Sequence, residues 1–186
     1  MELKKLIADN QIQLEDIPQI DLYMDQVIQL FENTFGSTTR NEEEKVLTKT
    51  MINNYAKGKL FFPVKNKKYS KEHLILIAFI YQLKGALSIN DIKSLLDGVN
   101  SRTAEGNLDL EHFYQLYLDL AKLNADAFMN DLENQAGRAA ELNKGKPSQL
   151  EKVLLASSLV HMSNLYRKAA ERIVDEVKET EDEDGK

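Results

Sequence analysis

Lys49, Asn53 and Lys57 recur at four-residue steps with Thr50 and Asn54 in the adjoining row, so a helix would gather them on one polar face. Those side chains match the edges of bases: an asparagine amide pairs with adenine in the major groove, and a lysine meets guanine or a phosphate. A few residues on, Lys65, Lys67 and Lys68 crowd one short segment. Lysines on such an arm, like Lys57 at the end of the helix, suit phosphate contacts, which fix position on a duplex without reading its sequence. The chain has a net charge of -6, yet residues 45–73 hold eight lysines and a single acid, Glu72, for a local charge of +7. A basic island on an acidic body concentrates positive potential on one face. The plain alternative, for the helix and for the charge run, is solvated surface.

The flanking segments must position these groups. Within residues 48–57, Met51, Ile52 and Tyr55 take the inward side, and Gly58 stands at a natural stop. Residues 59–69 are too short and too Pro-interrupted for a helix; they predict a small extended hairpin anchored by Leu60, Phe61 and Phe62, with Pro63 bending it or holding it at an edge. Ser70 caps a helix over residues 71–84 that is apolar on nearly every side, so it should be buried all round. His73, near its start, reads as a capping or surface residue rather than a ligand. Ser88-Ile-Asn-Asp91 is a capping box opening a short helix to Leu96. Upstream, Leu22, Val27, Ile28, Leu30, Phe31 and Phe35 predict an amphipathic helix from Asp21 to Gly36, followed by a loop that enters a new helical turn at Glu42, Glu43 and Glu44. A short helix is expected around residues 3–8.

Polar helix, basic hairpin, buried helix and short helix, in that order, outline a winged helix-turn-helix. Residues 97–107, with Gly98 and Gly106, form the expected linker. Beyond it, Asp109 caps a helix whose face runs through Leu110, Phe113, Tyr117, Leu120, Ala121, Phe128, Leu132, Ala136 and Ala139, and Gly145 and Pro147 end it. Ser148 starts the last helix, where Leu155, Leu159, Met162, Tyr166, Ala169 and Ile173 alternate four- and three-residue steps, a coiled-coil-like seam suited to joining two chains. The same seam could pack inside one chain. The expected organisation is therefore a mostly α chain: an N-terminal segment (1–16), a winged helix-turn-helix with a small β-hairpin wing (17–97), a C-terminal pair of long helices for dimerisation (108–178) and a disordered acidic tail (179–186).

The stretches Met51-Ile-Asn-Asn-Tyr-Ala-Lys-Gly-Lys-Leu60, Ser70-Lys-Glu-His-Leu74 and Leu87-Ser-Ile-Asn-Asp-Ile-Lys-Ser-Leu-Leu96, with the arm at residues 63–69, resemble the mercury-resistance-regulator (MerR) type of winged-helix domain. More closely, Ile17-Pro-Gln-Ile-Asp-Leu-Tyr-Met-Asp-Gln-Val27 with Leu47-Thr-Lys-Thr-Met-Ile-Asn-Asn-Tyr55 is similar to a bacterial family described as a domain of unknown function and thought to include transcriptional repressors. The resemblance implies that the helix bearing Lys49, Thr50, Asn53 and Asn54 enters the major groove, with Tyr55 and the Lys67, Lys68 arm near the DNA backbone.

Other classes fit poorly. There is no cysteine, hence no disulfide, thiolate metal site or cysteine nucleophile. His73, His112 and His161 lack metal-ligand spacing, and no phosphate loop or nucleophile elbow occurs. An enzyme is not expected, nor a cofactor. The longest apolar run is far below the roughly 20 residues that span a bilayer, and the start lacks a signal peptide's apolar region, so a cytoplasmic location is expected. The expected function is a dimeric, sequence-specific regulator of transcription, a repressor in the absence of an activation surface, with double-stranded DNA as partner. The alternative is a non-enzymatic assembly module using the basic hairpin and long helices. A small-molecule effector is left open, with no residue to identify it.

Overall fold

The computed structural model describes residues 10–41 and 43–184. Its elements are β1 (Leu22–Tyr23), α1 (Met24–Phe35), α2 (Lys49–Lys57), β2 (Lys68–Tyr69), α3 (Lys71–Leu83), α4 (Ile89–Ala104), α5 (Leu110–Leu142) and α6 (Ser148–Asp184), with short 3-10 turns at Leu14–Asp16 and Gly36–Thr38. The described chain is thus mostly helical, with one two-stranded antiparallel pair. It divides into two compact units, Met1–Asp119 and Leu120–Lys186. The short helix expected around residues 3–8 lies outside the described residues.

The first unit is built on α3. Its uninterrupted apolar run places every side chain from His73 to Ile80 in the interior. Helix α1 buries Val27, Phe31 and Phe35, which follow one another at single-turn steps, and the two phenylalanine rings meet Tyr81 of α3, Phe35 stacking at 4.4 Å. Leu22 was expected in this helix. It lies instead in β1, paired with Tyr69, and the Tyr23 amide donates to Gln26 Oε1 to cap α1.

In the connection between α1 and α2 the Glu44 amide donates to the Asn41 carbonyl, a single turn, and no helix begins at Glu43 or Glu44; Glu42 lies outside the described residues. Val46 and Leu47 are buried there, the Val46 amide donating to Glu32 Oε1 and the Val46 carbonyl accepting from Lys84 Nζ. Apolar anchoring, rather than helix, holds this segment.

Helix α4 begins as read, with Ser88 Oγ accepting from the Asp91 amide. It does not stop at Leu96. Residues 97–104, expected as linker, continue it through Gly98, because Asn100 is buried and its amide donates to the carbonyls of Leu60 and Leu96. A tertiary hydrogen bond of that kind offsets the roughly 1 kcal/mol that an interior glycine costs a helix.

The first turns of α5 complete the same unit. Leu110, Tyr114 and Leu118 are buried, and the Tyr114 hydroxyl donates to the Ile12 carbonyl. Ile12 and Ile17 are buried too, so residues 10–17 belong to this core. Phe113 and Leu120, expected on the buried face, are exposed.

In the second unit, residues 120–142 and α6 form a helical pair joined by a turn around Gly145, with Ser158 Oγ donating to Gln135 Oε1 between them. The acidic segment expected to be disordered is helical through Asp184.

Candidate nucleic-acid interface

Helix α2 starts at Lys49 because Thr48 accepts a hydrogen bond from the Met51 amide through its hydroxyl, the standard way of satisfying an orphan N-terminal donor. Ile52 and Tyr55 point inward and are buried. Lys49, Thr50, Asn53, Asn54 and Lys57 are all exposed, so the polar face read from the sequence is an outward face. Tyr55 is a correction: expected near a DNA backbone, it is buried, and burial raises its phenol pKa. A side chain sequestered in the core has no route to a phosphate. Lys49 Nζ lies 2.7 Å from Asp25 Oδ1 on α1, a pair exposed on both sides and hence weak.

The end of α2 sets the direction of the chain into the arm. The Leu60 amide donates to the Tyr55 carbonyl and the Lys59 amide to the Ala56 carbonyl, a Schellman closure in which Lys59, not a glycine, takes the left-handed position at φ 58°. Gly58 is needed for space: a Cβ there would come 2.7 Å from Leu60 Cδ1.

The expected hairpin is a tighter object than its residues suggested. Leu60 and Phe61 form no strand; they are buried as anchors. The reversal is a four-residue turn in which the Lys68 amide donates to the Lys65 carbonyl and both central residues, Asn66 and Lys67, have positive φ, the signature of a type I′ turn. The ladder then runs not to the other leg of the arm but to β1, Leu22 opposite Tyr69 and Tyr23 opposite Lys68. Lys68 Nζ lies 5.4 Å from the centre of the Tyr23 ring.

His73 fastens both roots of this arm. Its Nδ1 accepts from the Ser70 amide at 3.1 Å, its Nε2 donates to the Phe62 carbonyl at 3.0 Å, and its ring packs against Phe61, Phe62 and Tyr69. One nitrogen accepting while the other donates defines a neutral imidazole. Burial lowers its pKa, consistent with that state. The capping part of its role was legible in the Ser70-x-x-His73 spacing; its burial was not. Ser70 Oγ donates to Glu72 Oε2, which holds the Glu72 carboxyl below its ordinary pKa.

Lys65 and Lys67 are exposed on the turn and Lys68 is half-buried beside Tyr23. Lys71 leaves the basic set: its ammonium pairs with Glu111 at 2.7 Å and its side chain is only 10% exposed. Asn100, which pins the Leu60 carbonyl at the base of the arm, carried no local signal in the sequence. In α6, Leu155, Leu159 and Met162 of the expected seam are half-buried, whereas Tyr166 (70%), Ala169 and Ile173 (57%) are exposed. Among the described residues, no helix is long and apolar enough to cross a membrane.

No curated protein and no solved structure matches the chain. A family match covers residues 12–117, from the buried Ile12 through the first turns of α5, and so takes in α2, the arm and His73. That span is more than half of the chain, and the protein belongs to the family described as Domain of unknown function (DUF1836).

Proposed function

We propose that the protein is a sequence-specific DNA-binding regulator of transcription, acting as a dimeric repressor, with α2 as the recognition helix of a winged helix-turn-helix and the Lys65–Lys68 turn as its wing. The observation that carries this reading is the outward face of α2. Lys49, Thr50, Asn53, Asn54 and Lys57 are exposed together on a helix whose other side is fixed in the core, and the chain leaves that helix directly into a basic arm braced by His73. The face supplies base-reading groups, and Lys57, Lys65, Lys67 and Lys68 supply phosphate contacts.

Dimerisation draws on α6. Residues 153–166 contain no Asp, Glu, Lys or Arg, an unusual run for a helix with so much of its surface in solvent, and Val153, Leu154, Val160, Leu165 and Tyr166 are exposed. Pairing two copies would cover that surface and double the number of base pairs read. The same apolar surface also favours the second reading, an assembly module that never meets DNA.

Selection from a random duplex pool by the purified chain separates the two. Enrichment of a two-fold symmetric site, with affinity falling steeply as salt rises, supports the regulator, because phosphate neutralisation releases counterions. Within it, Asn53→Ala relaxes sequence preference, while Lys67→Ala with Lys68→Ala weakens all duplexes alike and flattens the salt slope. No enrichment at low salt favours the assembly module.

A further inference from the structure

A groove of about 1050 Å³ opens in the first unit between the arm and the start of α5. That volume is at the upper end of the roughly 300–1,000 Å³ typical of small-molecule sites. Its apolar lining comes from Phe62, Pro63 and Val64 of the arm, from Leu108 and Leu110, and from Leu14. The polar lining is unequal in sign. Asp21, Glu72, Asp109 and Glu111 contribute four carboxylates; Lys71 neutralises Glu111, which leaves Asp21, Glu72 and Asp109 against the ammonium groups of Lys65 and Lys68.

We infer that this groove binds a small organic cation, an amine carried on a flat apolar body. The volume and the apolar lining call for the body; the sign of the polar lining selects the charge. Three of the carboxylates are already held in place, Glu72 by Ser70 Oγ, Asp109 by the His112 amide and Glu111 by Lys71 Nζ. Their orientation is therefore set without a ligand. Lys68 has its ammonium on the Tyr23 ring, and Lys65 is carried on the turn, exposed to solvent. An anion would meet the like charge of Asp21, Glu72 and Asp109, whereas an ammonium group seated near Asp21 meets opposite charge. His73, whose Nδ1 and Nε2 are both committed to backbone groups, presents its neutral ring beside Phe62 at 4.2 Å.

Because Lys65 and Lys68 belong to this lining and to the arm, occupancy and duplex affinity are coupled by the same factor in both directions; that coupling, unlike the site itself, rests on the proposed function.

The test is a titration of the free full-length chain, without DNA, with two probes of matched shape and opposite charge, tryptamine and indole-3-propionate. Amide and methyl NMR shifts supply the map. Tryptamine is expected to shift Leu108, Leu110 and Val64 and to saturate by millimolar concentration, and the carboxylate to bind at least about tenfold more weakly. Asp21→Asn, isosteric and at an exposed position, should weaken tryptamine by about threefold at an unchanged melting temperature. Leu108→Trp, which fills the groove, should abolish its binding. Equal binding of the two probes, shifts confined to another part of the chain, or no shifts at millimolar tryptamine would each overturn the inference. None of these outcomes touches DNA binding, and a failure to bind any duplex would leave the cation titration standing.

Discussion

His73→Gln tests whether the arm is held by a neutral histidine. In the native chain Nδ1 accepts from the Ser70 amide, and the ring is 4% exposed among Phe61, Phe62 and Tyr69. Protonation puts a hydrogen on Nδ1 facing that amide hydrogen, so an acceptor becomes a second donor, and a charge appears in a largely apolar setting. Burial accordingly lowers the pKa from its ordinary 6.5. The unfolded chain therefore binds this proton at a higher pH than the folded one does, and stability falls as pH drops below 6.5. At 1.36 kcal/mol per pH unit, the largest loss by pH 5 is about 2 kcal/mol, roughly 4–8 °C in melting temperature for a chain of this size. The depressed Glu72 carboxyl works in the other window: its stabilisation is full above its ordinary 4.5 and is lost as pH falls below that, so measurements above pH 5 keep it apart. The glutamine amide of the variant can still accept and donate but does not titrate. Urea unfolding between pH 7.5 and 5 should show the variant less stable at neutral pH, with a flatter profile than the wild type. Parallel profiles would refute the clamp.

Three further outcomes follow from the same packing. Lys59→Gly relieves a left-handed non-glycine residue and should raise stability by about 0.5–1 kcal/mol, while Gly58→Ala should lower it through contact with Leu60, both read by thermal melting. Ile77→Asp places an unpaired carboxylate at a fully buried position and should cost several kcal/mol against a total of roughly 5–15; a soluble variant with unchanged melting would show that α3 is not the core. Leu159→Glu with Tyr166→Glu should give a folded monomer by light scattering, with weak, salt-sensitive DNA binding only; a wild-type chain already monomeric at micromolar concentration would sink the dimer.

What the sequence made legible was local. Ser70 and Ser88 mark helix starts because capping is decided within three residues, and both helices begin where those side chains predict. The outward face of α2 was legible for the same reason, since a four-residue period sorts polar from apolar side chains before any partner is known. The misreadings lie where a distant residue decides. Leu22 fits the apolar period of α1 and still becomes a strand, because Tyr69 pairs with it from across the arm. Gly98 looks like a break until Asn100 reaches the Leu60 carbonyl.

Tyr55 and Lys71 make the point for the site itself. Both sit in the basic stretch and have the chemistry of a DNA contact, yet Tyr55 faces the core and Lys71 is taken by Glu111, forty residues further along. Only the loss of Lys71 was hidden: the period of α2 already put Tyr55 inward, against what the resemblance implied, whereas an ion pair between remote elements leaves no mark in the local pattern. What remains after removing them is a smaller and better-defined surface: the polar face of α2 and the Lys65–Lys68 turn, joined by a connection that Gly58 steers and that Asn100 and His73 hold. The rigidity of that connection, more than the number of lysines, is what would let base-reading and phosphate-holding groups act in one register on a duplex.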